Sequence, residues 1–369
     1  MEIAQKQALP QSRSVSGEPF KTVDRPVAHR LQHVDGLRAF AALWVLAYHI
    51  WTYGFHPFEL RVPWFEVPLE AGHLGVPIFL VISGFCLAYP YRTGTGKPFD
   101  LRKFAIRRAV RILPPYWICT VVFLGLLFLL SKPFPPAKEF EDLGWHMALI
   151  QNLSGQHLFT INAVLWSVAL ECQLYLFFPL LIRFKNPQAM LAVGAAVSGL
   201  TWILLALAGV HNQTTSELAW WSSVPSYLVV FCLGIWAAQA KLRINADGLV
   251  AVLLVGALVS ERWADRYPAV SVLFAALATV AVLIGGPNCH WISWMSWKPL
   301  TRLGFMSYTL YLIHGPIVSL GSKILCPRLH GVALVAGMCS CALLAVLAAI
   351  ALFPLLELPF HRMARHLST

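Results

Sequence analysis

Ten apolar runs separated by short polar segments dominate the sequence, at about 37–54, 73–91, 112–131, 164–182, 188–209, 219–240, 247–262, 268–286, 302–321 and 331–356. A helix needs about 20 apolar residues to cross the hydrocarbon core of a bilayer. A helix also satisfies every backbone N–H and C=O within its own segment, which lipid cannot do for it. The pattern therefore predicts an all-α polytopic membrane protein with about ten transmembrane helices. Composition agrees: 58% of the 369 residues are hydrophobic and 12% charged, where a soluble domain carries roughly 25% charged residues. Ten crossings use up this length, and no room is expected for an appended soluble catalytic domain. The first run follows some 36 mostly polar residues and ends without a small-residue cleavage site, so it reads as an uncleaved signal anchor. The stretch 144–163, with Trp145, His146, Asn152, Ser154 and His157, is too polar for a crossing and reads as interfacial or re-entrant.

The formal net charge of +11 would fit a nucleic-acid binder only if it formed an exposed basic face. Instead the basic residues lie between the apolar runs, and no nucleic-acid partner is expected. With the N-terminus inside, the inward segments carry 21 of the 28 Lys and Arg residues, and the outward segments carry Glu59, Glu66, Glu70, Glu139, Glu141 and Asp142. By the positive-inside rule both termini are expected in the cytoplasm. Cysteine adds no framework. Cys86, Cys119, Cys172, Cys232, Cys339 and Cys341 fall inside apolar runs, and no C-x-x-C or Cys/His ligand spacing marks a metal site. There is no internal repeat, H-x4-D pair, G-x-S-x-G elbow, Walker loop or G-x-G-x-x-G.

An ionisable group in the middle of a membrane helix costs roughly 2.5–3.5 kcal/mol on insertion scales, so each is a functional candidate. Arg38, His49 and Glu171 stand out. Arg38 and His49 are eleven residues apart, which on a helix returns to within about 20° of the same face after about 16.5 Å of rise. Asp35 lies close to that face, within reach of Arg38. A histidine part-way along such a stripe can serve as a general base near neutral pH, or it can simply hydrogen-bond a neighbouring helix. Ser167, Glu171 and Tyr175 recur at i, i+4 and i+8, a polar stripe suited to lining a cavity. Glu171 can orient an imidazole, bind an acceptor hydroxyl, or bridge helices structurally. The densest charge cluster is Arg102 to Arg111, ahead of Pro114 and Pro115. Arg108 and Arg111 share a helical face and can grip a phosphorylated ligand; lipid headgroups and topology are the alternative reasons for the cluster.

These residues resemble the integral-membrane acyltransferase-3 family. Its first-helix hallmark, Arg or Lys followed after ten residues by His, is met by Arg38 and His49 after Asp35 and Gly36. Gly75 to Phe85, ending Ser83-Gly84-Phe85, is similar to the family's F-F-x-x-S-G-F segment, with Ile78 in place of the first Phe. Arg108-Ala109-Val110-Arg111 before Pro114 resembles R-x-x-R-x-x-P. Trp166-Ser167 through Glu171 and Tyr175 is similar to W-S-x3-E-x3-Y, with Ala169, Leu170 and Cys172 varying the surroundings. Ser307-Tyr308 through Tyr311, His314 and Pro316 is similar to S-Y-x-L-Y-L-x-H-x-P.

The resemblance runs in order over nearly the whole chain. It implies a membrane acyltransferase domain over 35–357, between cytoplasmic tails at 1–34 and 358–369, in a bacterial inner membrane. It further implies transfer of an acyl group, usually acetyl, from cytoplasmic acyl-CoA to a hydroxyl of a carbohydrate such as a cell-surface or exported glycan, with no metal. Carried over residue by residue, Arg108 and Arg111 hold CoA phosphates, Arg38 places the thioester end, His49 is the catalytic base, and Glu171 orients His49 or the acceptor. Asp35, Ser83, Trp166, Ser167, Tyr175 and Tyr311 are expected to line the substrate pocket. Tyr308 and Ser307 also fall on the pocket side, and His314 is read as a structural hydrogen-bonding residue before a kink at Pro316. Trp51, Trp64, Trp145, Trp166, Trp220 and Trp221 are available to stack on sugar rings or to form an interfacial aromatic belt. An acyl-histidine intermediate stays open, as do a small-molecule acceptor such as a macrolide and a transporter or flippase using Arg38, His49 and Glu171 as a proton path. Oligomeric state is not legible.

Overall fold

A computed structural model describes residues 31–58, 65–92, 98–130, 136–211, 213–240, 245–286 and 289–367. Trp64 and the basic residues Lys6, Arg13, Lys21, Arg25, Arg30, Arg61, Lys97, Lys132, Lys241 and Arg243 lie outside the described residues. Among the described residues the architecture is all-helical, with no extended strand. In chain order the helices are α1 (Gln32–Ile50), α2 (Glu66–Glu70), α3 (Gly75–Arg92), α4 (Leu101–Leu130), α5 (Pro136–Met147), α6 (Leu165–Leu181), α7 (Pro187–Leu207), α8 (Thr215–Trp221), α9 (Val224–Ala237), α10 (Asp247–Ser260), α11 (Pro268–Leu283), α12 (His290–Met295), α13 (Lys298–Phe305), α14 (Ser307–Leu325), α15 (Gly331–Leu356) and α16 (Leu358–His366).

Every one of the ten apolar runs is helical, but hydropathy and helix boundaries part company in three places. Helix α4 starts eleven residues ahead of its apolar run, because the basic segment from Arg102 to Arg111 continues the same helix. Hydropathy marks only the lipid-soluble part of a helix. The run at 219–240 is divided into α8 and α9 at Ser222 and Ser223. The run at 302–321 is divided at Met306, where α13 and α14 meet at a 75° bend. Helix α14 continues through Pro316, so the sharp turn lies ten residues before the proline at which a kink was expected. Five helical segments are long and apolar enough to cross a membrane, namely Glu66–Arg92, Leu101–Leu130, Pro187–Leu207, Thr215–Ala237 and Gly331–His366, and the bent pair makes a sixth if counted as one span.

Local sequence explains several helix starts. Asn186 accepts from the backbone N–H groups of Gln188 and Ala189, with Pro187 in the first turn. Thr214 and Glu217 form a reciprocal capping box ahead of α8. At the other kind of terminus, Arg92 reaches from the end of α3 to the carbonyls of Ile182 and Phe184, which α6 leaves unpaired.

Helices α1, α3, α9 and α14 form the centre. Close approach there depends on glycine, since a small residue lets two helix backbones meet inside an apolar bundle. A Cβ on Gly84 of α3 would lie 2.3 Å from the carbonyl oxygen of Phe231, and a Cβ on Gly234 of α9 would lie 2.0 Å from that of Val81. The two glycines interlock the pair reciprocally. The start of α1 is approached from two sides: a Cβ on Gly36 would meet the carbonyl oxygen of Met295, at the end of α12, at 1.7 Å, and a Cβ on Gly304 of α13 would meet that of Asp35 at 1.7 Å. Both contacts sit beside Arg38.

The polar stretch 144–163 is packed into the molecule. Gln151 donates to Tyr116 Oη at 2.9 Å and to the Leu165 carbonyl, Asn152 exchanges hydrogen bonds with Gln173, and Asn162 donates to the carbonyl of Leu312 at 2.9 Å. His157 Nδ1 stands 2.6 Å from Asp142 Oδ1, with the Trp145 indole stacked on its ring at 4.6 Å. Burial pushes the neighbouring His146 imidazole below its ordinary value.

Candidate active site

Helix α1 contributes residues at both ends of the site. Near its start, Arg38 Nη1 donates to Asp35 Oδ1 at 3.1 Å, one turn back on the same face, as their spacing predicts. Its Nη2 contacts Cys86 Sγ of α3 at 3.2 Å. Arg38 also interacts electrostatically with Glu171 and Tyr175 of α6. Helix α4 supplies the other two cations. The Arg108 guanidinium lies 5.8 Å from the centre of the Tyr175 ring, and Arg111 interacts with Arg108, Arg38 and Glu357. Arg38, Arg108 and Arg111 are thus gathered from two helices into one basic cluster, and all three are half-buried. Such a cluster suits a polyanion. Like-charged groups held together repel one another, and a bound phosphate relieves that repulsion while accepting paired N–H bonds.

The polar stripe of α6 forms the wall opposite. Tyr175 Oη donates to Glu171 Oε1 at 2.5 Å and lies 2.8 Å from Ser83 Oγ of α3. One turn along, Ser167 Oγ lies 2.6 Å from Tyr311 Oη of α14. Ser83, Ser167, Tyr175 and Tyr311 are all buried. Trp166 is half-buried and faces Tyr227, with ring centres 6.5 Å apart. Tyr308 donates to the Ile112 carbonyl of α4, next to Arg111, and interacts electrostatically with Glu171. The structure therefore brings together Arg38, Asp35, Ser83, Arg108, Arg111, Glu171 and Tyr175, with Ser167 and Tyr311 forming a second hydrogen-bonded pair on the same stripe.

His49 lies at the far end of α1, 9% exposed. Its Nδ1 is 2.8 Å from the Val45 carbonyl oxygen. A carbonyl only accepts, so Nδ1 carries the proton and Nε2 holds the lone pair. The pairing expected between Glu171 and His49 is not made among the described residues, because the glutamate is taken up by Tyr175. Among the described residues, the side chain within hydrogen-bond reach of His49 is His314, with Nε2 3.4 Å from His49 Nδ1 and ring centres 5.0 Å apart. Sequence reasoning placed His314 in a motif but not at this imidazole. Two residues 265 positions apart on different helices leave no periodic signal.

Immediately after His49 the chain widens into one turn of π-helix, Trp51–Phe55. Such turns insert an extra residue and recur at functional sites. Beside it, Tyr48 packs edge-on against His73, whose Nε2 is 2.9 Å from Glu261 Oε2. Neither His73 nor Glu261 was singled out from the sequence, and each lies at the end of an apolar run, where a charged residue is unremarkable.

The geometry can be set beside known proteins. A family model described as "Acyltransferase domain", acyltransferase-3, matches residues 31–353. The chain is similar to O-acetyltransferase OatA of Staphylococcus aureus (strain NCTC 8325 / PS 47), 28% identical over 338 residues that cover 81% of this chain and 52% of that protein. It is likewise similar to Peptidoglycan O-acetyltransferase OatA of Listeria monocytogenes serovar 1/2a, 28% identical over 330 residues covering 79% and 50%. The chain spans about half the length of these curated relatives. No solved structure matches it. With the five motifs in order, the basic cluster and stripe assembled, and the family model spanning most of its length, the chain belongs to the acyltransferase-3 family.

Proposed function

We propose that the chain is a membrane O-acyltransferase that moves an acetyl group from acyl-CoA to a hydroxyl of a cell-surface or exported glycan. The observation that carries the reading is the layout of α1. Three guanidinium groups gather around Glu171 and Tyr175 at its Arg38 end, and a histidine with its Nε2 lone pair available lies eleven residues further along the same helix. A donor with an anionic head and a thioester at the end of a long arm matches a site whose phosphate-binding and reactive ends lie about 16 Å apart. Arg108 and Arg111 bind the phosphates, and Arg38, fixed by Asp35, orients the arm. The acceptor oxygen attacks the thioester carbonyl carbon as its proton passes to His49 Nε2. The C–O bond forms, the C–S bond breaks, and the proton leaves with the thiol. Glu171, with Tyr175 and Ser83, braces the donor's arm at the Arg38 end of the site.

The reading includes ten crossings with both termini in the cytoplasm, tails at 1–34 and 358–369, and a bacterial plasma membrane location. The basic cluster then faces the compartment that holds acyl-CoA. The glycan class is supported by the relatives, one of which is described as acting on peptidoglycan.

The test is thiol release from acetyl-CoA by purified protein in lipid nanodiscs, with and without a peptidoglycan fragment as acceptor. Release that depends on acceptor and is lost in His49→Ala supports the reading. Acetyl label retained on the protein without acceptor, and absent in His49→Ala, would route transfer through an acyl-histidine. Passage of unmodified glycan across vesicles with no thiol release would replace the enzyme with a transporter.

A further inference from the structure

We infer that His314 is a positioning residue that holds His49 in the one tautomer and ring orientation able to take up the acceptor proton. The inference rests on the proposed role of His49 as the base. Neutral imidazole carries one proton, and the nitrogen that bears it is set by the hydrogen bond the other side of the ring makes. His49 Nδ1 has two acceptors in front of it, the Val45 carbonyl oxygen at 2.8 Å and a nitrogen of His314 at 3.4 Å.

His314 can play the accepting part because its own tautomer is determined. Its Nδ1 lies 3.1 Å from the Leu310 carbonyl, which can only accept. That nitrogen therefore carries the hydrogen, and Nε2, facing His49, keeps its lone pair. Each histidine donates backwards into its own helix, one turn down. The shared contact then makes His49 Nδ1–H a bifurcated donor and leaves His49 Nε2 unprotonated. When Nε2 accepts the proton, the positive charge on His49 is met by the lone pair of His314 across the same contact.

His314 is in turn held rigidly. It is fully buried, and Tyr311, whose ring centre lies 5.5 Å away, is tied to Ser167 of α6. On its other side, Asn162 donates to the Leu312 carbonyl, and a Cβ at Gly315 would come within 2.8 Å of Asn162 Oδ1. Asn162 follows Ile161, a β-branched residue held at φ 57°. That conformation is costly and persists only where its surroundings enforce it. The strained turn delivers Asn162 to α14, and Asn162 with Gly315 fixes the turn that carries His314. Among the described residues, the other titratable groups that contact the His49 ring are Tyr48 and Tyr53, at ring-centre distances of 5.2 and 5.7 Å.

The experiment compares wild type, His314→Ala, His314→Gln and His49→Ala as full-length protein in nanodiscs. Nitrogen-15 spectra of histidine-labelled protein, assigned by the signals lost in His49→Ala, are expected to show His49 with its proton on Nδ1 in wild type and a mixture of tautomers in His314→Ala. Thiol release is expected to fall about tenfold to a hundredfold in kcat in His314→Ala, with KM for acetyl-CoA changed less than about twofold and the pH dependence of kcat displaced. His314→Gln, whose side-chain oxygen can accept from His49 Nδ1, should recover most of the loss. A wild-type His49 protonated on Nε2, or His314→Ala with unchanged kcat and tautomer, overturns the inference while His49→Ala still confirms the base. Full activity in His49→Ala overturns the base itself and this inference with it. The wild-type outcome that overturns the inference is read without any His314 variant, and His314→Gln keeps the ring's accepting role testable if His314→Ala does not fold.

Discussion

Helices α3 and α7 are both apolar and long, yet they occupy opposite surroundings. In the apolar stretch of Glu66–Arg92, which contains α3, 83% of the residues are buried inside the protein, whereas the share is 17% in Pro187–Leu207 and 22% in Gly331–His366, with α15. All three are dissolved in apolar surroundings, of protein in one case and of hydrocarbon in the others on the membrane reading. The difference lies in what else each helix carries. The central helices hold Ser83, Asp35, Arg38, His49 and Tyr311, each engaged with another side chain or with the backbone, Tyr311 with Ser167 of α6. The outer helices carry fewer such groups: on α7, Ser198 donates to the Pro225 carbonyl and accepts from the Val229 N–H on the side that faces α9, and on α15, among the described residues, Ser340 bonds to the Ala336 carbonyl of its own helix. Polar side chains are thus a better guide to the centre of such a bundle than hydropathy, because only protein or enclosed water can satisfy them.

Glycine offers the sharpest way to break the comparison. Gly234→Ala places a methyl group 2.0 Å from the Val81 carbonyl oxygen between α9 and α3, and overpacking of this kind costs about 1–3 kcal/mol or more. We expect a large loss of monodisperse protein on size exclusion. Gly199→Ala on α7 meets nothing within 4 Å. It should fold at least as well as wild type, since Ala is favoured over Gly in a helix by about 0.5–1 kcal/mol. Equal loss in both variants would mean that α7 is as tightly enclosed as α3.

Side-chain truncation probes the same contrast. Leu80→Ala, at a position 2% exposed, is expected to cost about 2–5 kcal/mol in thermal or denaturant unfolding. Leu344→Ala, 56% exposed on α15, should stay within about 0.5 kcal/mol. Polar truncation follows, with activity as the readout. Arg38→Ala removes a charge-assisted contact worth about 1.5–3 kcal/mol. That corresponds to a tenfold to hundredfold fall in kcat/KM for acetyl-CoA, and Ser340→Ala should leave the same parameter unchanged.

The smallest expected effect concerns the packed polar stretch. Burial holds His146 below its ordinary value in the folded protein, so on acidification the unfolded chain takes up that proton first. Its contribution to stability is complete above about pH 6.5 and declines below it. Melting temperatures measured from pH 7.5 to 5.5 should fall more for wild type than for His146→Gln, by on the order of 1 kcal/mol of stability. Parallel curves would remove His146 from the account.

Much of the site was legible because its parts sit on single helices. Asp35 and Arg38, Ser167 with Glu171 and Tyr175, and Arg108 with Arg111 are neighbours at helical spacing, and each pair or stripe faces one way in the structure. The convergence of Arg38 with Glu171 and Tyr175 joins α1 to α6 and came only with the fold. So did the interlock of Gly84 with Gly234, since a glycine in a packed contact and one in open space, such as Gly234 and Gly199, look alike in the sequence. The bend at Met306 was missed because no proline or charge marks it.

The sequence by itself determined an all-helical chain of apolar runs, the family motifs, and the few ionisable groups that stand out within those runs. These follow from local rules, namely hydropathy, helical period and the cost of charge in an apolar medium. Tertiary structure alone decided which groups meet across helices. It joined Ser83 to Tyr175, His49 to His314, and Asn162 to the turn that holds His314. Such pairings depend on the rotation and register of one helix against another. Close packing of many small contacts along the whole interface sets both, and no short stretch of sequence contains that information.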